Sequence, residues 1–436
     1  MNFKKTAIIA ATAGALAAIS VPAMALENEF HGMYRLRGSI TNFQNANAAV
    51  KLADEAPTTS LFEQRARLQY TAKANDDLKL VTHFEIDSSW GDSGYDGVTR
   101  GEGGRIGADG VNLETKNVYL DFKCPLTGAN FKAGIQPIAD AYKGIFLNAD
   151  AAGILASKSF GNIKATAGFS RLVDYAGDNP LGRQREDLYL LDANVALSKD
   201  LTVGGSYYLV RSNSGVSQSE SLDVHMLGVN AAVKAGIVSA DAFLAYQGGS
   251  ELNIGGVGSG RDLSAFAAQA AVKVNLDKAG IVHANLLYTT GGKSTDTDAK
   301  AWQSLGNGTT NAGSENSYYE SKMMLLMRSV YAMDSDKALV STSNNGNHGV
   351  TLLAAGYDTK FSDKLSASAN LGYAMYSEKD AVADASIGTE INAQIDYKMY
   401  TNLSASFQAA YVILGDGASK TADDPYLTAL MLSYTF

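Results

Sequence analysis

The sequence predicts an all-β fold, a transmembrane antiparallel up-and-down β-barrel of 18 strands, with 16 strands as the alternative. Three observations predict it. Polar and apolar residues alternate with a period of two along almost the whole chain after residue 25. The alternating segments reach the length of a tilted strand crossing a bilayer, about 9–11 residues. Short and long connections follow one another in turn, as in a barrel with tight turns at one rim and loops at the other.

The N-terminal residues have the pattern of an export signal. Lys4 and Lys5 precede an uncharged, mostly apolar run over residues 6–21, and small residues, Ala23 and Ala25, flank Met24. This pattern predicts a Sec-type signal peptide over residues 1–25, followed by a barrel over residues 26–436. The alternative is an N-terminal anchor helix, although the run is short for one.

The alternation separates two faces within single segments. In residues 387–397, Ile391 and Ile395 share one face, while Glu390 and Gln394 share the other. The predicted strands are 30–43, 60–74, 78–88, 113–123, 130–137, 153–160, 163–172, 186–198, 201–210, 222–234, 237–246, 263–275, 281–290, 348–361, 365–376, 386–399, 402–413 and 425–436.

Soluble β-folds also alternate, so a sandwich, a solenoid adhesin and a propeller are the alternatives. Strands of globular proteins are shorter, with about 5–6 residues on average. Tyrosines such as Tyr246, Tyr288 and Tyr397 stand near strand ends on the apolar face, where lipid headgroups would lie. No propeller-type or solenoid-type repeat is visible. These observations favour the membrane barrel.

The residues give no indication of an enzyme, a metal site or a cofactor site. The histidines are scattered without ligand spacing, at His31, His83, His225, His283 and His348, and Cys124 is the single cysteine. No nucleophile elbow or phosphate-binding glycine loop is present. The net charge is −9, and loss of Lys4 and Lys5 would make it more negative, which argues against nucleic acid as a partner.

Basic residues on the first three strands are predicted to face the lumen. Arg35 and Arg37 alternate with the apolar residues of strand one, and Arg65 and Arg67 do so on strand two. Arginine on the lipid face would cost about 2–4 kcal/mol at the midplane, whereas a wet lumen solvates it. Lys79 and His83 have the same parity on strand three. Because neighbouring strands lie about 4.8 Å apart, we expect one basic patch at a pore constriction.

The chain ends in Ser433-Tyr434-Thr435-Phe436. Tyr434 and the terminal Phe436 resemble the C-terminal signal of bacterial outer-membrane proteins, which the barrel-assembly machinery reads. Together with the leader, strand count and turn pattern, the chain resembles Gram-negative outer-membrane porins. The resemblance implies a homotrimer in the cell outer membrane, surrounded by lipid and lipopolysaccharide. It implies a water-filled channel for passive diffusion of small polar solutes and ions. The alternatives are a substrate-selective channel and a structural or adhesive barrel without an open pore.

The resemblance also implies that the third long loop folds into the barrel. That connection is residues 138–152, which include the apolar Tyr142, Ile145 and Phe146. Asp140, Lys143 and Asp150 would then face the lumen, with the two acids opposite the basic patch.

Two features depart from the resemblance. The connection 291–347 is far longer than a simple loop and contains an apolar, Met-rich run over residues 318–333. This run is interpreted as a helix or hairpin that plugs the mouth, or as an additional strand pair. Most porins of this size have 16 strands, so 18 suggests a substrate-selective relative or a miscount. The sequence leaves the solute and the sign of ion selectivity open.

Overall fold

The computed structural model describes residues 26–43, 52–92, 101–107, 113–175, 183–213, 221–251, 261–305, 318–380, 382 and 384–436. The predicted leader, residues 1–25, lies outside the described residues. The strands are β1 Glu27–Thr41, β2 Thr59–Asn75, β3 Leu78–Trp90, β4 Gly101–Gly104, β5 Glu114–Lys123, β6 Asn130–Ala139, β7 Asn148–Phe160, β8 Ile163–Tyr175, β9 Gln184–Ala196, β10 Leu201–Ser212, β11 Leu222–Ala235, β12 Val238–Ser250, β13 Asp262–Asn275, β14 Ile281–Thr289, β15 Thr351–Lys360, β16 Leu365–Met375, β17 Ser386–Tyr400, β18 Leu403–Leu414 and β19 Tyr426–Thr435.

All strands except β4 form one closed antiparallel barrel of 18 strands, so the predicted fold and strand number are confirmed and the 16-strand alternative is wrong. Closure is made by β1 and β19, which pair from Met33 opposite Thr435 to Thr41 opposite Leu427. The short β4 pairs in parallel with the end of β3 and belongs to the connection between β3 and β5. Within the described ranges, no helix is long and apolar enough to cross a bilayer.

The two rims of the barrel differ in their connections. Tight turns, such as those at Gly161 and Gly236, join strands at one end, which we call the short-turn rim. Both glycines have positive φ angles, 61° and 57°, a conformation that glycine adopts without a steric penalty. The long connections lie at the opposite end, the loop rim, and the barrel begins and ends at the short-turn rim.

The predicted boundaries fail at the third long connection. β6 continues to Ala139 and β7 starts at Asn148, because residues 135–139 pair with residues 148–152. The predicted loop 138–152 therefore shrinks to residues 140–147, which we call the inner loop. Residues 148–152 read Asn-Ala-Asp-Ala-Ala, in which alanine is the only apolar residue, so the alternation is weak and backbone pairing makes this stretch a strand.

The faces of the strands follow the predicted parity. Leu68, Leu371, Ile391 and Phe407 are exposed on the outer surface, and the predicted outward residues Leu36 and Phe84 are half-buried. The main hydrophobic cluster lies inside the barrel, where two segments pack on the inner wall. One is the inner loop, and the other is residues 318–340 of the longest connection, which we call the lumen strap.

Candidate functional site

The inner loop is folded around one carboxylate. Asp140 accepts hydrogen bonds from the backbone N–H groups of Tyr142, Gly144, Phe146 and Leu147, at 2.7–2.9 Å. A buried charge is tolerated when it accepts several such bonds, because they replace its lost hydration. Asp140 therefore fixes the shape of the loop and is not a free charge of the lumen.

Aromatic packing holds the inner loop on the barrel wall. The ring of Phe146 stacks on that of Tyr208 in β10, with centroids 5.9 Å apart. Tyr142 packs edge-on against Phe243 of β12 at 5.3 Å. Tyr142 and Phe146 are fully buried, so the loop has left the solvent and covers part of the inner wall.

The inner loop is also bonded to the longest connection. Trp302 donates its indole N–H to the carbonyl oxygen of Ile145 at 3.2 Å, and the Ser343 hydroxyl donates to the same oxygen at 2.5 Å. The backbone N–H of Leu305 donates to the carbonyl of Phe146 at 2.7 Å. The inner loop is therefore packed together with the parts of the longest connection that precede and follow the lumen strap.

The lumen strap is a hairpin-like loop, and the helix and strand-pair interpretations of this run are wrong. It begins with a 3-10 turn at Tyr319–Ser321. Its two arms are joined where the N–H groups of Leu339 and Val340 donate to the carbonyls of Leu325 and Leu326, at 2.8 and 2.9 Å. The buried residues Met323, Met324, Leu325, Leu326 and Met327 belong to the cluster inside the barrel.

Glu390 of β17 is the first anchor of the strap. Its fully buried carboxylate accepts the N–H groups of Met324, Leu325 and Leu326 at 2.7, 3.0 and 2.6 Å. Asn392 donates to the same carboxylate at 2.7 Å. Successive backbone N–H groups form a concave site for an anion, and here a side chain of the wall occupies it. The Met-rich turn is thus fixed against β17.

The second anchor lies on β1 and β2. Arg37 forms a bidentate ion pair with Asp336 of the strap, with 2.5 Å between Nη2 and Oδ1. The N–H of Ser335 donates to the carboxylate of Glu63 at 3.0 Å. Burial raises the pKa of Asp336, but the Arg37 guanidinium outweighs this effect and leaves the pKa below its ordinary value.

Arg65 and Arg67 are paired with acids of β3. Arg65 binds Asp87 through two hydrogen bonds of 2.6 and 2.7 Å, and it also reaches Asp334 of the strap at 2.9 Å. Arg67 pairs with Glu85. The predicted basic patch is therefore a mixed ladder of wall arginines, wall acids and two acids from the strap.

Arg35 differs from the other three arginines. Within the described part of the chain, no carboxylate lies within 4.0 Å of it. It stands opposite Arg65 in the sheet, and its guanidinium lies over the ring of Tyr331 of the strap, 5.4 Å from the centroid. Arg35 is thus a positive charge of the lumen with an aromatic face as its neighbour.

Lys79 and His83 lie on the inner face of β3, as their parity predicts. The ammonium of Lys79 is 3.5 Å from Asp121 of β5, and its side chain is 42% exposed. His83 faces Asn117 at 3.3 Å. Both residues belong to the wall. They lie closer to the short-turn rim than the arginines do, so neither lies at the level where the strap is anchored.

The structure does not bring Asp140 and Asp150 to the arginines, which corrects the predicted arrangement. Asp140 is enclosed by its own loop. Asp150 binds Lys116 of β5 at 3.1 Å, and the same ammonium lies 3.7 Å from Glu85, so Asp150 reaches the arginine ladder only through Lys116. Lys143 does join the inward segments, because it lies 2.8 Å from Asp241 of β12. The same ammonium is 3.7 Å from Glu320 of the strap.

The missed residues are Asp334 and Asp336, which take the place predicted for the loop acids. They follow the Met-rich run directly in sequence. An apolar run ending in closely spaced acids, inside a chain with four inward arginines, is a signal that could have identified them.

The C-terminal residue completes the closure. Phe436 and Gly32 of β1 exchange backbone hydrogen bonds of 2.9 and 3.1 Å. The rings of Tyr434 and Phe436 stack with centroids 5.6 Å apart, and both are exposed on the outer surface. The predicted assembly signal is therefore accessible on the finished barrel.

Comparison with solved structures identifies the fold. A BenF-like porin from Pseudomonas fluorescens Pf-5 matches with a TM-score of 0.56 and 12% identity, over 94% of this chain and 98% of that chain. The chain has a porin-like barrel. The outer membrane protein opdK from Pseudomonas aeruginosa matches with a TM-score of 0.56 and 11% identity, over 94% and 98%. Pseudomonas aeruginosa OpdL matches with a TM-score of 0.55 and 14% identity, over 94% of this chain and 99% of that chain. No protein-family model and no curated protein sequence matches the chain.

Proposed function

We propose that this protein is an outer-membrane porin, a water-filled channel for passive diffusion of small polar solutes and ions. One observation supports this most directly. The barrel is apolar outside, while its interior keeps partly exposed charges, including Arg67, Lys79 and Lys116 with 31%, 42% and 21% of their side chains exposed. A dry interior would not hold such groups, because losing hydration costs several kcal/mol per ion, on the order of the whole stability of a domain. Water in the lumen accounts for them.

A cavity on the short-turn side of the strap supports an aqueous path. It has a volume of about 1090 Å³ and lies between the strap and the inner wall of β14–β17. Arg328 and Tyr331 line it from the strap, and Ser368 and Asp396 line it from the wall. These side chains suit polar solutes, which exchange hydrogen bonds with water for bonds to the wall.

The strap and the wall arginines form the proposed constriction. Charges of both signs meet there, with Arg35, Arg65 and Arg67 on the wall and Asp334 on the strap. Such a section orients dipolar solutes and disfavours apolar ones. A substrate-selective channel is the second candidate, because Arg35 presents a positive charge without a described carboxylate partner beside an aromatic ring.

The remaining parts of the proposal concern the cellular setting. The leader, residues 1–25, would direct export, and Tyr434 and Phe436 would be read by the barrel-assembly machinery. The short-turn rim would face the periplasm, and lipid and lipopolysaccharide would surround the barrel as a homotrimer. We propose a channel and not an enzyme, since the inward titratable groups described above serve as ion pairs and anchors.

Planar-bilayer recording in a salt gradient tests the proposal. The purified, folded protein should give ohmic conductance steps, and triplets of steps would support the trimer. Block of the current by one class of solute would favour the selective channel. No conductance from protein with normal heat-modifiable mobility would contradict both channel functions and favour a structural or adhesive barrel.

A further inference from the structure

The outer surface of the barrel carries a concentrated group of arginines. They are Arg171 of β8, Arg183 before β9, Arg185 of β9 and Arg211 of β10, and we call them the rim arginine cluster. Arg171 pairs across the sheet with Asp187, as Phe169 pairs with Tyr189, a residue 42% exposed on the outer surface. The strand parity therefore points the cluster outward, at the loop rim.

The position of these arginines is unusual for this barrel. By the same parity, the described strands place one other lysine or arginine on the outer face, Lys158 of β7, near the short-turn rim. Arginine on the outer face costs about 2–4 kcal/mol at the bilayer midplane and about 0–1 kcal/mol near an interface. The cluster is thus placed where a bilayer would permit it, and it is confined to one sector of the circumference.

An aromatic band marks the lipid boundary directly below the cluster. The rings of Phe169 and Tyr189 lie 5.3 Å apart, and the guanidinium of Arg171 lies over Phe169 at 5.9 Å. Tyr207 continues the band on β10 and bonds to His225 at 2.8 Å. Aromatic rings at this level occupy the headgroup boundary, so the arginines lie at the depth of lipid headgroups.

The charges within the cluster cancel only in part, because its four arginines face three carboxylates, and Arg211 is already paired with Asp223 at 2.7 Å. Arg171, Arg183 and Arg185 surround the carboxylate of Asp174, at 3.3, 2.5 and 3.6 Å. Arg171 also binds Asp187, but Arg183 and Arg185 have no second acid among their described contacts. Their side chains are 43% and 48% exposed, so N–H groups remain open to a ligand.

We propose that the rim arginine cluster binds the phosphate groups of an outer-leaflet glycolipid of the lipid A type. The guanidinium fork matches phosphate oxygens in a bidentate manner, and such bonds are among the strong hydrogen bonds of proteins. The acyl chains of the same lipid would lie along the exposed Leu191 and Leu227, which flank Tyr207 on the two neighbouring strands. The inference rests on the proposed outer-membrane location, with the loop rim on the outside.

The test compares lipid binding to the folded, full-length barrel in detergent by native mass spectrometry. The probes are bis-phosphorylated lipid A, the same lipid after dephosphorylation, and inorganic phosphate. The variant is Arg183→Gln with Arg185→Gln, and the matched control is Lys158→Gln, an outward basic residue at the other rim. Arg183→Lys with Arg185→Lys keeps the charge and removes the fork.

We expect bis-phosphorylated lipid A to bind and the dephosphorylated lipid to bind at least tenfold more weakly. The double Gln variant should lose about tenfold or more in affinity, the double Lys variant should lose less, and Lys158→Gln should equal the wild type. Equal binding of both lipids, or unchanged affinity in the double Gln variant, would overturn the inference. If inorganic phosphate binds the cluster as tightly as lipid A does, the cluster is a site for a free anion and the inference is overturned. If the double Gln variant loses its oligomers, the cluster is a contact between subunits and the inference is likewise overturned.

Conductance separates this inference from the channel proposal. Both double variants should conduct as the wild type does, because their side chains lie outside the lumen. If the double Gln variant keeps both the lipid affinity and the conductance of the wild type, the lipid site is disproved and the channel proposal still stands. Normal heat-modifiable mobility of each variant shows that a change in affinity is not caused by misfolding.

Discussion

Arg37 of β1 and Asp336 of the lumen strap form a bidentate ion pair between residues 299 positions apart in the sequence. Arg37 is almost fully buried, and no strand contributes its partner. The pair fastens the far end of the longest connection to the wall at which the barrel closes. Because Glu390 holds the other end on β17, the strap lies along the inner wall between these two anchors. The dimensions of the pore therefore depend on both anchors.

Replacing Glu390 should loosen the strap. Glu390→Ala leaves the N–H groups of Met324, Leu325 and Leu326 without their acceptor, at about 1–3 kcal/mol for each donor that finds no water. We expect a lower thermal unfolding temperature together with larger and noisier single-channel conductance. Asp200→Asn, in the exposed short turn before β10, is the control. A quiet channel of wild-type conductance would show that the strap does not limit the pore.

Releasing the second anchor should change selectivity as well as conductance. In Asp334→Asn with Asp336→Asn, Arg37 and Arg65 keep their positive charges and lose their strap partners. The reversal potential in a salt gradient should shift toward anions, and the conductance should rise. Asp200→Asn again serves as the control, because it removes an exposed charge of a short turn that does not line the cavity beside the strap. An unchanged reversal potential would place these acids outside the conducting path.

Arg35 and Arg65 should behave differently when neutralised. Arg35→Gln removes a charge that has no described carboxylate partner, so selectivity should shift toward cations with little loss of stability. Arg65→Gln leaves the carboxylates of Asp87 and Asp334 without their arginine partner. Breaking such buried pairs lowers the free energy of unfolding by about 3–5 kcal/mol. The reversal potential and the unfolding temperature of the two variants, beside Lys158→Gln, measure this contrast. Equal destabilisation by both changes would contradict the pairing described here.

The anchor at Asp336 should survive moderate acid. Its pKa in the folded protein is lowered from the ordinary aspartate value of about 3.9, so the stabilisation is fully present above that value. It is lost only as the pH falls through the lower, folded pKa. The conductance difference between wild type and Asp336→Asn should therefore be constant from pH 7 to about pH 4 and should shrink below it. A difference that vanishes near pH 6 would assign the anchor to another group.

Deletion of Phe436 should impair assembly more than export. The residue exchanges two backbone hydrogen bonds with Gly32 at the closing seam, and its ring is exposed for recognition. We expect the truncated chain to reach the periplasm and to be depleted in the outer membrane, as measured by fractionation and heat-modifiable mobility. Phe436→Tyr keeps an aromatic ring and should restore insertion. Normal outer-membrane levels of the truncated chain would argue against the assembly signal.

The barrel follows from local patterns that can be read directly from the sequence. Strand number, strand order and the division between outward residues such as Ile391 and inward residues such as Glu390 follow from a period of two, because successive side chains of a strand point to opposite faces. The positions of Arg35, Arg37, Arg65 and Arg67 on the inner face follow from the same local rule. The tertiary structure alone decided their partners. The strap has no period, so nothing local in Met324 or Asp336 indicates that Glu390 and Arg37 bind them. Those contacts form only after the barrel closes and brings the two walls to one enclosed space, where buried amides and charges must find partners.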